Sequence, residues 1–140
     1  MTSFFDALEV GAEIPTLSRV VVPEDIATYA DVSGDHNVLH LDDDAARSAG
    51  FDGIIAHGMF TMGHMAACVV TWAGPGAQVR RIVATFRSPV SMGDVIVSGG
   101  RIRALDADAR TATIDTWVTV DRGAGTEFPV KRGEAVVYLP

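Results

Sequence analysis

The sequence predicts an α+β fold in which one antiparallel sheet curls around a central, buried helix. Residues 58–73 are the longest apolar stretch of the chain, and they lack the polar face of a helix that borders solvent. Four segments with the alternating pattern of strands follow this stretch, and short turns join them. Consecutive strands with short connections favour antiparallel pairing, so we expect their sheet to cover the preceding helix.

The chain has the size and composition of a single globular domain, residues 1–140. Its 140 residues can bury a core, since 48% of them are hydrophobic and 21% are charged. The single cysteine, Cys68, cannot form an internal disulfide, and residues 1–6 lack the basic and apolar regions of a signal peptide. The apolar stretch is short for a membrane-spanning helix. We therefore expect a cytoplasmic protein with no transmembrane segment.

The first third of the chain predicts an arm, a strand and a helix. Residues 1–15 have the character of a partly ordered arm, and the short β-branched segment 16–22 predicts the first strand. Pro23 favours a helix start, because its missing N–H costs nothing in the first turn. Gly34 ends this helix, since glycine readily takes the left-handed conformation of a helix C-terminus.

A second short helix is predicted at residues 45–49, after the acidic run 42–44. Carboxylates at this position usually cap a helix and offset its dipole. The alternative is a calcium loop counted from Asp35, but its pattern fails. The sixth position is His40 where glycine is required, and the twelfth is Ala46 where glutamate is required.

The second half of the chain predicts strands. The alternation is clearest where every second residue from Ala112 to Val120 points to one face. The predicted strands cover residues 79–87, 94–105, 111–120 and 127–138.

The net charge of −7 argues against a nucleic-acid-binding protein, which usually has a basic surface. Six of the eleven basic residues nevertheless lie in one stretch of 31 residues. They are Arg80, Arg81, Arg87, Arg101, Arg103 and Arg110. Solvated strand faces are one interpretation, and a local patch for a phosphate-bearing ligand is the other.

The loop from Ser33 to His40 is the best candidate for chemistry. It carries a carboxylate, Asp35, and an imidazole, His40, five positions apart. An acid and a base on one loop can hold a single water molecule, with one group removing a proton and the other delivering one. A helix that begins at Gly58 would point free N–H groups towards such a site. The alternative is that both residues serve only as caps or turn residues.

A metal site is a further hypothesis, because the chain contains four histidines. No zinc-binding pattern such as HExxH or a cysteine pair accompanies them, so we expect no metal. His64 lies on the predicted core helix and is better interpreted as a hydrogen-bonded core residue. The four histidines are His36, His40, His57 and His64.

Three stretches, in this order, resemble MaoC-like dehydratases, the (R)-specific enoyl-thioester hydratases. Residues 29–40, YADVSGDHNVLH, resemble the family signature of an aromatic residue followed by Ser-Gly-Asp-x-Asn-Pro-Leu/Ile-His. Residues 56–59, AHGM, and 86–94, FRSPVSMGD, also resemble family segments. The resemblance spans residues 7–138, and the chain is similar to 3-hydroxyacyl dehydratase subunits of the mycolic-acid type. It departs at Val38, where the family's proline would stiffen the loop.

The resemblance implies a hotdog fold, in which a sheet wraps around a long helix. It implies reversible addition of water to the trans-2 double bond of an acyl-CoA or acyl-carrier-protein thioester, without a cofactor. It assigns water activation to Asp35 and His40, and the oxyanion hole to the backbone N–H of Gly58. The residues expected to contact the substrate or to support this pair are Asn37, His57 and Met59.

Two other functions remain open. A thioesterase on the same fold would direct water at the carbonyl carbon instead of C3. The chain could also be one subunit of a heterodimeric dehydratase, although the intact Asp35 and His40 argue against a purely structural subunit. A homodimer or a heterodimer with a homologous subunit is expected, because a curled sheet exposes an edge and a substrate tunnel needs a second wall.

Overall fold

A computed structural model describes residues 1–140 and confirms the α+β architecture, a five-stranded antiparallel sheet curled around one long helix. Short 3₁₀ turns lie at Phe5–Ala7 and Val38–His40. None of the helices has the length and apolar character needed to cross a membrane. The helices are α1 (Pro23–Ser33), α2 (Asp43–Ser48) and α3 (Gly58–Ala73). The strands are β1 (Glu13–Val20), β2 (Gln78–Phe86), β3 (Val95–Asp106), β4 (Thr111–Asp121) and β5 (Thr126–Tyr138).

The strand order differs from the order along the chain. The sheet runs β1-β3-β4-β5-β2, so β2 pairs with β5 at one edge and does not neighbour β3. The connection formed by residues 87–94 is too long for a tight hairpin and leaves the sheet to reach the start of α3. The backbone N–H of Ala56, just before α3, donates to the Val90 carbonyl at 2.8 Å. This crossing connection supplies one wall of the site described below.

Helix α3 packs its inner face against the concave side of the sheet. Its fully buried residues include Met65 and Val69, which face the buried alternate residues of β4 from Ala112 to Val120. The prediction that α3 is buried on all sides is wrong for the single chain, because Met59 is 55% and Val70 is 48% exposed. The sheet covers only one side of the helix and leaves the other apolar side open.

The first strand begins earlier than predicted, at Glu13 rather than at residue 16. Ile14 is buried opposite Gly100, and the Glu13 carboxylate pairs with Arg101 across β1 and β3. Phe5 also packs into the core, so the predicted arm is mostly anchored. These contacts join residues far apart in sequence, and local patterns do not report them.

The acidic run caps α2, as predicted, although the helix starts two residues before the predicted position. The Asp42 carboxylate accepts the N–H groups of Asp44 and Ala45, at 2.9 and 3.1 Å. The Asp43 carboxylate accepts the N–H of Ile54 at 2.9 Å, which ties α2 to the segment before α3.

Candidate active site

The loop after α1 is closed by its own side chains. Gly34 has a φ of +79° and ends α1, with its N–H donating to Ala30 at 2.9 Å. The Asp35 carboxylate accepts the N–H of Asn37 at 3.2 Å, and the Asn37 side chain accepts the N–H of Leu39 at 3.1 Å. These two successive side-chain to backbone hydrogen bonds therefore fix the backbone conformation that leads to His40.

His40 is held in one tautomer by the segment that precedes α3. Its Nδ1 lies 2.7 Å from the carbonyl oxygen of Ile55, and a carbonyl can only accept, so Nδ1 carries the proton. The N–H of Ile55 donates to the Leu39 carbonyl at 3.1 Å, which fastens the same two segments a second time. The Nε2 of neutral His40 consequently carries a lone pair and can accept a proton.

His57 supports both members of the predicted catalytic pair. Its Nε2 donates to the backbone carbonyl of Asp35 at 3.0 Å, and its ring stacks on His40 with centroids 3.9 Å apart. The ring of Tyr29 packs against His57 at 4.8 Å. Since His57 is 1% exposed, it lies behind the pair as a buried support and not on the open side of the site.

Side-chain atoms of Asp35, His40 and His57 lie within 4.8 Å of one another. A water molecule hydrogen-bonds at about 2.8 Å, so one water can reach a carboxylate and an imidazole at this separation. Carboxylate and imidazole are also metal ligands, and these three residues each offer one such atom. The Nε2 of His57 donates to the Asp35 carbonyl, and its Nδ1 is buried without a hydrogen-bond partner.

The other two histidines lie outside this cluster. The exposed ring of His36 bonds to the Gly34 carbonyl and to Asp31. His64 is the hydrogen-bonded core residue that was predicted, with Nδ1 2.7 Å from the Ser98 hydroxyl. Burial lowers the pKa of His64, and the positive charge of Arg19 lowers it further, so His64 is neutral in the core.

A cavity of about 380 Å³ opens beside His40 and reaches the start of α3. The N–H of Gly58, the first residue of α3, has no acceptor within the chain. A Cβ on Gly58 would lie 2.9 Å from the ring of Phe86, so glycine is what allows the cavity wall to approach. The cavity is lined by His40, Phe51, Ile55, Ala56, Gly58, Thr61, Phe86, Arg87, Ser88, Pro89, Val90 and Pro129.

Not every predicted site residue faces this cavity. Met59 points away and is 55% exposed, and Asn37 shapes the loop instead of lining the cavity. Asp35 is exposed and lies close to His40, but it is not one of the residues that line the cavity. Residues 86–90 form one wall of the cavity. The sequence indicates this segment only as a stretch of family resemblance and not as part of the site.

Comparison with known proteins places this site in a family. The MaoC like domain family matches residues 7–121. The 3-hydroxybutyryl-CoA dehydratase of Methylorubrum extorquens is 34% identical over 139 residues, which cover 98% of this chain and 84% of that protein. The mitochondrial 3-hydroxyacyl-[acyl-carrier-protein] dehydratase of Arabidopsis thaliana is 36% identical over 134 residues, which cover 95% and 78%.

Solved structures give the same result. The (R)-hydratase from Aeromonas caviae involved in PHA biosynthesis superposes with a TM-score of 0.86 at 32% identity, over 96% of this chain and 98% of that chain. An R-hydratase from Pseudomonas aeruginosa gives a TM-score of 0.87 at 28% identity, over 97% and 84%. The chain therefore belongs to the MaoC-like dehydratase family, has its hotdog fold, and is a hydro-lyase of the hydratase and dehydratase type.

Proposed function

We propose that Asp35 and His40 activate the water that this hydro-lyase adds to a trans-2-enoyl thioester, to give an (R)-3-hydroxyacyl thioester. The observation that carries the proposal is the approach of these two side chains to within 4.8 Å, beside a cavity that also contains a free helix N–H. The similarity to a 3-hydroxybutyryl-CoA dehydratase and to (R)-hydratases supports the substrate class.

In this proposal His40 performs the proton transfers and Asp35 orients the water. His40 Nε2 accepts a proton from water while the water oxygen forms its bond to C3 of the substrate. The Asp35 carboxylate accepts a hydrogen bond from the other hydrogen of the water and orients its lone pair. The proton taken up by His40 Nε2 is then transferred to C2, so one water is added in full and both residues return to their starting state. Dehydration follows the same steps in reverse.

The thioester oxygen gains negative charge when water attacks C3. The N–H of Gly58 lies at the N-terminus of α3, where the helix dipole is positive, and it is free to donate. One preorganised donor of this kind contributes about 3–4 kcal/mol to the transition state of related reactions. We therefore propose that Gly58 is the oxyanion donor, with the thioester lying between α3 and the wall of residues 86–90.

The alternative is a thioesterase that directs water to the carbonyl carbon. A covalent route through the only thiol is disfavoured, because Cys68 is buried and burial raises the pKa of its thiol. The Gly58 N–H would assist either reaction, so hydration and hydrolysis are best distinguished by an assay.

The purified chain is expected to hydrate trans-2-butenoyl-CoA without releasing coenzyme A. Hydration removes the conjugated enoyl absorbance, and hydrolysis releases a thiol that a thiol reagent detects. Both signals can be followed on one sample. Release of thiol at the rate of substrate loss would replace the hydratase assignment with a thioesterase.

We also propose that the chain functions as a dimer, either with itself or with a homologous subunit. Strand β2 forms one edge of the sheet with no partner on its outer side. Val83 on this strand is 38% exposed, and Met59 and Val70 on the neighbouring helix expose larger fractions. A second subunit would pair the edge, cover the open side of α3 and close the substrate cavity.

Sedimentation of the purified chain at micromolar concentration is expected to give a dimer. If it gives a monomer, co-expression with a homologous subunit tests the heterodimer, and both partners should then co-purify. A monomer in both experiments that hydrates the substrate at full rate would contradict the proposal.

We infer a cytoplasmic location from the thiol chemistry. Cys68 is free and buried, which suits a reducing compartment. The similar Arabidopsis protein is mitochondrial, which makes a mitochondrial location the alternative. Cell fractionation with antibody detection would overturn the inference if the protein were recovered outside the cytoplasmic fraction.

A further inference from the structure

Ser88 lies in the wall of the candidate active-site cavity and carries a hydroxyl without a partner. The residue is half-buried, and it lines the cavity together with His40 and Gly58. Its Oγ is buried and makes no hydrogen bond within the chain. Buried hydroxyl groups are usually hydrogen-bonded, because leaving one unpaired lowers the stability of the fold. A ligand in the cavity could supply the partner that the chain does not.

The backbone around Ser88 is held in place by distant parts of the fold. The guanidinium of Arg122 donates to the carbonyl oxygen of Pro89 at 2.8 Å, and the N–H of Ala56 donates to the carbonyl oxygen of Val90 at 2.8 Å. The proline that follows Ser88 also restricts it to an extended conformation. The position of the Ser88 backbone in the wall is therefore set before any substrate binds.

The side chain of Ser88 remains free to turn on this fixed backbone. Serine has one side-chain torsion between heavy atoms, χ1, which moves among staggered rotamers. No hydrogen bond holds the Oγ in its buried position, so none is lost when χ1 rotates. Rotation can turn the hydroxyl into the cavity, where it can donate to a bound substrate.

The thioester oxygen is the substrate atom that this hydroxyl can best serve. A Cβ on Gly58 would lie 2.9 Å from the ring of Phe86, so the wall that carries Ser88 stands directly opposite the start of α3. A thioester between them would turn its oxygen towards the Gly58 N–H. A carbonyl oxygen has two lone pairs, so a second donor from the facing wall can reach it as well.

We propose that Ser88 is a second oxyanion donor, whose hydroxyl hydrogen-bonds to the thioester oxygen from the side opposite the Gly58 N–H. This inference rests on the proposed function and adds a catalytic residue to it. The oxygen becomes negatively charged when water attacks C3, and hydrogen bonds to charged acceptors are stronger than those to neutral ones. Ser88 would therefore stabilise the transition state more than the bound substrate, and its loss should act on kcat.

Ser88→Ala is expected to lower kcat for hydration of trans-2-butenoyl-CoA about 10- to 100-fold, the effect of one hydrogen bond to a charged group, with KM within about twofold. Ser88→Thr keeps the hydroxyl and should retain most of the rate. Ser91→Ala is the matched control, because Ser91 lies on the same connection but does not line the cavity. Ser88→Ala should unfold at a temperature no lower than the wild type, since the hydroxyl it removes has no partner.

Infrared spectroscopy tests the hydrogen bond without turnover. Butanoyl-CoA labelled with ¹³C at the carbonyl carbon presents the same thioester, and it cannot be hydrated because it has no double bond. Hydrogen bonds to a carbonyl oxygen lower its stretching frequency. The bound thioester should therefore absorb at a higher frequency in Ser88→Ala than in the wild type, Ser88→Thr and Ser91→Ala.

The inference is overturned if Ser88→Ala keeps both the wild-type kcat and the wild-type carbonyl frequency. It is also overturned if the substitution raises only KM, or if Ser88→Ala is less stable and Ser88→Thr does not restore kcat. If the wild type does not hydrate the butenoyl substrate, the proposed function fails separately. The infrared comparison then decides the inference alone, and an unchanged frequency, or failure of the wild type to bind butanoyl-CoA, refutes it.

Discussion

Asp35→Asn is expected to lower kcat for hydration of a trans-2-enoyl thioester by about 10²–10⁴-fold, the scale of a lost general acid–base group. The amide oxygen of the variant can still accept the N–H of Asn37, so the loop keeps its shape. The amide oxygen is a weaker acceptor than the carboxylate, and the NH₂ group would compete for the water, so the water would no longer be oriented towards His40. His40→Asn should lose as much, because its side-chain amide can still reach the Ile55 carbonyl while the Nε2 lone pair is gone.

The neighbouring pair Asp31 and His36 offers matched controls. These side chains are exposed, lie 3.3 Å from each other and do not line the cavity. Asp31→Asn and His36→Asn should therefore keep nearly full activity. Thermal unfolding of all four variants would show that the fold is intact.

The double variant Asp35→Asn with His40→Asn provides a sharper test. If the two residues act on the same water, the double variant should be about as slow as the slower single variant. Independent roles would instead multiply the two losses. Near-wild-type turnover in either single variant would remove the assignment of the catalytic pair.

Much of the fold follows from local patterns. The boundaries of α1 and α3 agree with the predicted ones, because Pro23 and Gly34 act at the ends of α1 and the apolar stretch 58–73 defines α3, which Gly74 ends. Strand β4 also agrees, since its alternation directly records one buried and one less buried face. The position of β2 at the far edge does not follow from such patterns. It depends on pairing with β5, about 50 residues away, and on the path of residues 87–94.

The candidate site divides in the same way. Asp35 and His40 were predicted because they share one loop and one motif. Their orientation depends on Ile55 and His57, which meet the loop only in the folded chain. The exposure of Met59 could not be derived either, since an apolar helix of uniform composition does not show which side the sheet leaves open.

The second large effect is expected at Gly58. Comparing its substitution by alanine with its substitution by proline distinguishes the effect of losing the backbone N–H from the effect of adding a side chain. Both substitutions add a Cβ, which would lie 2.9 Å from the Phe86 ring, so both are made together with Phe86→Ala. Alanine keeps the N–H and proline removes it. Proline suits this position, because it is the first residue of α3 and the preceding His57 has φ −60° and ψ 139°.

Gly58→Pro is expected to lower kcat about 10²–10³-fold relative to Gly58→Ala in the same background, the cost of one oxyanion donor. The Gly58 N–H has no acceptor in the chain, so its loss should leave the free energy of unfolding the same in the two variants. Chemical denaturation measures that quantity beside the kinetics. Because the added Cβ and the Phe86→Ala change are common to both proteins, they cancel in the comparison. Equal kcat values would therefore mean that the negative charge on the thioester oxygen is stabilised by a group other than the first N–H of α3.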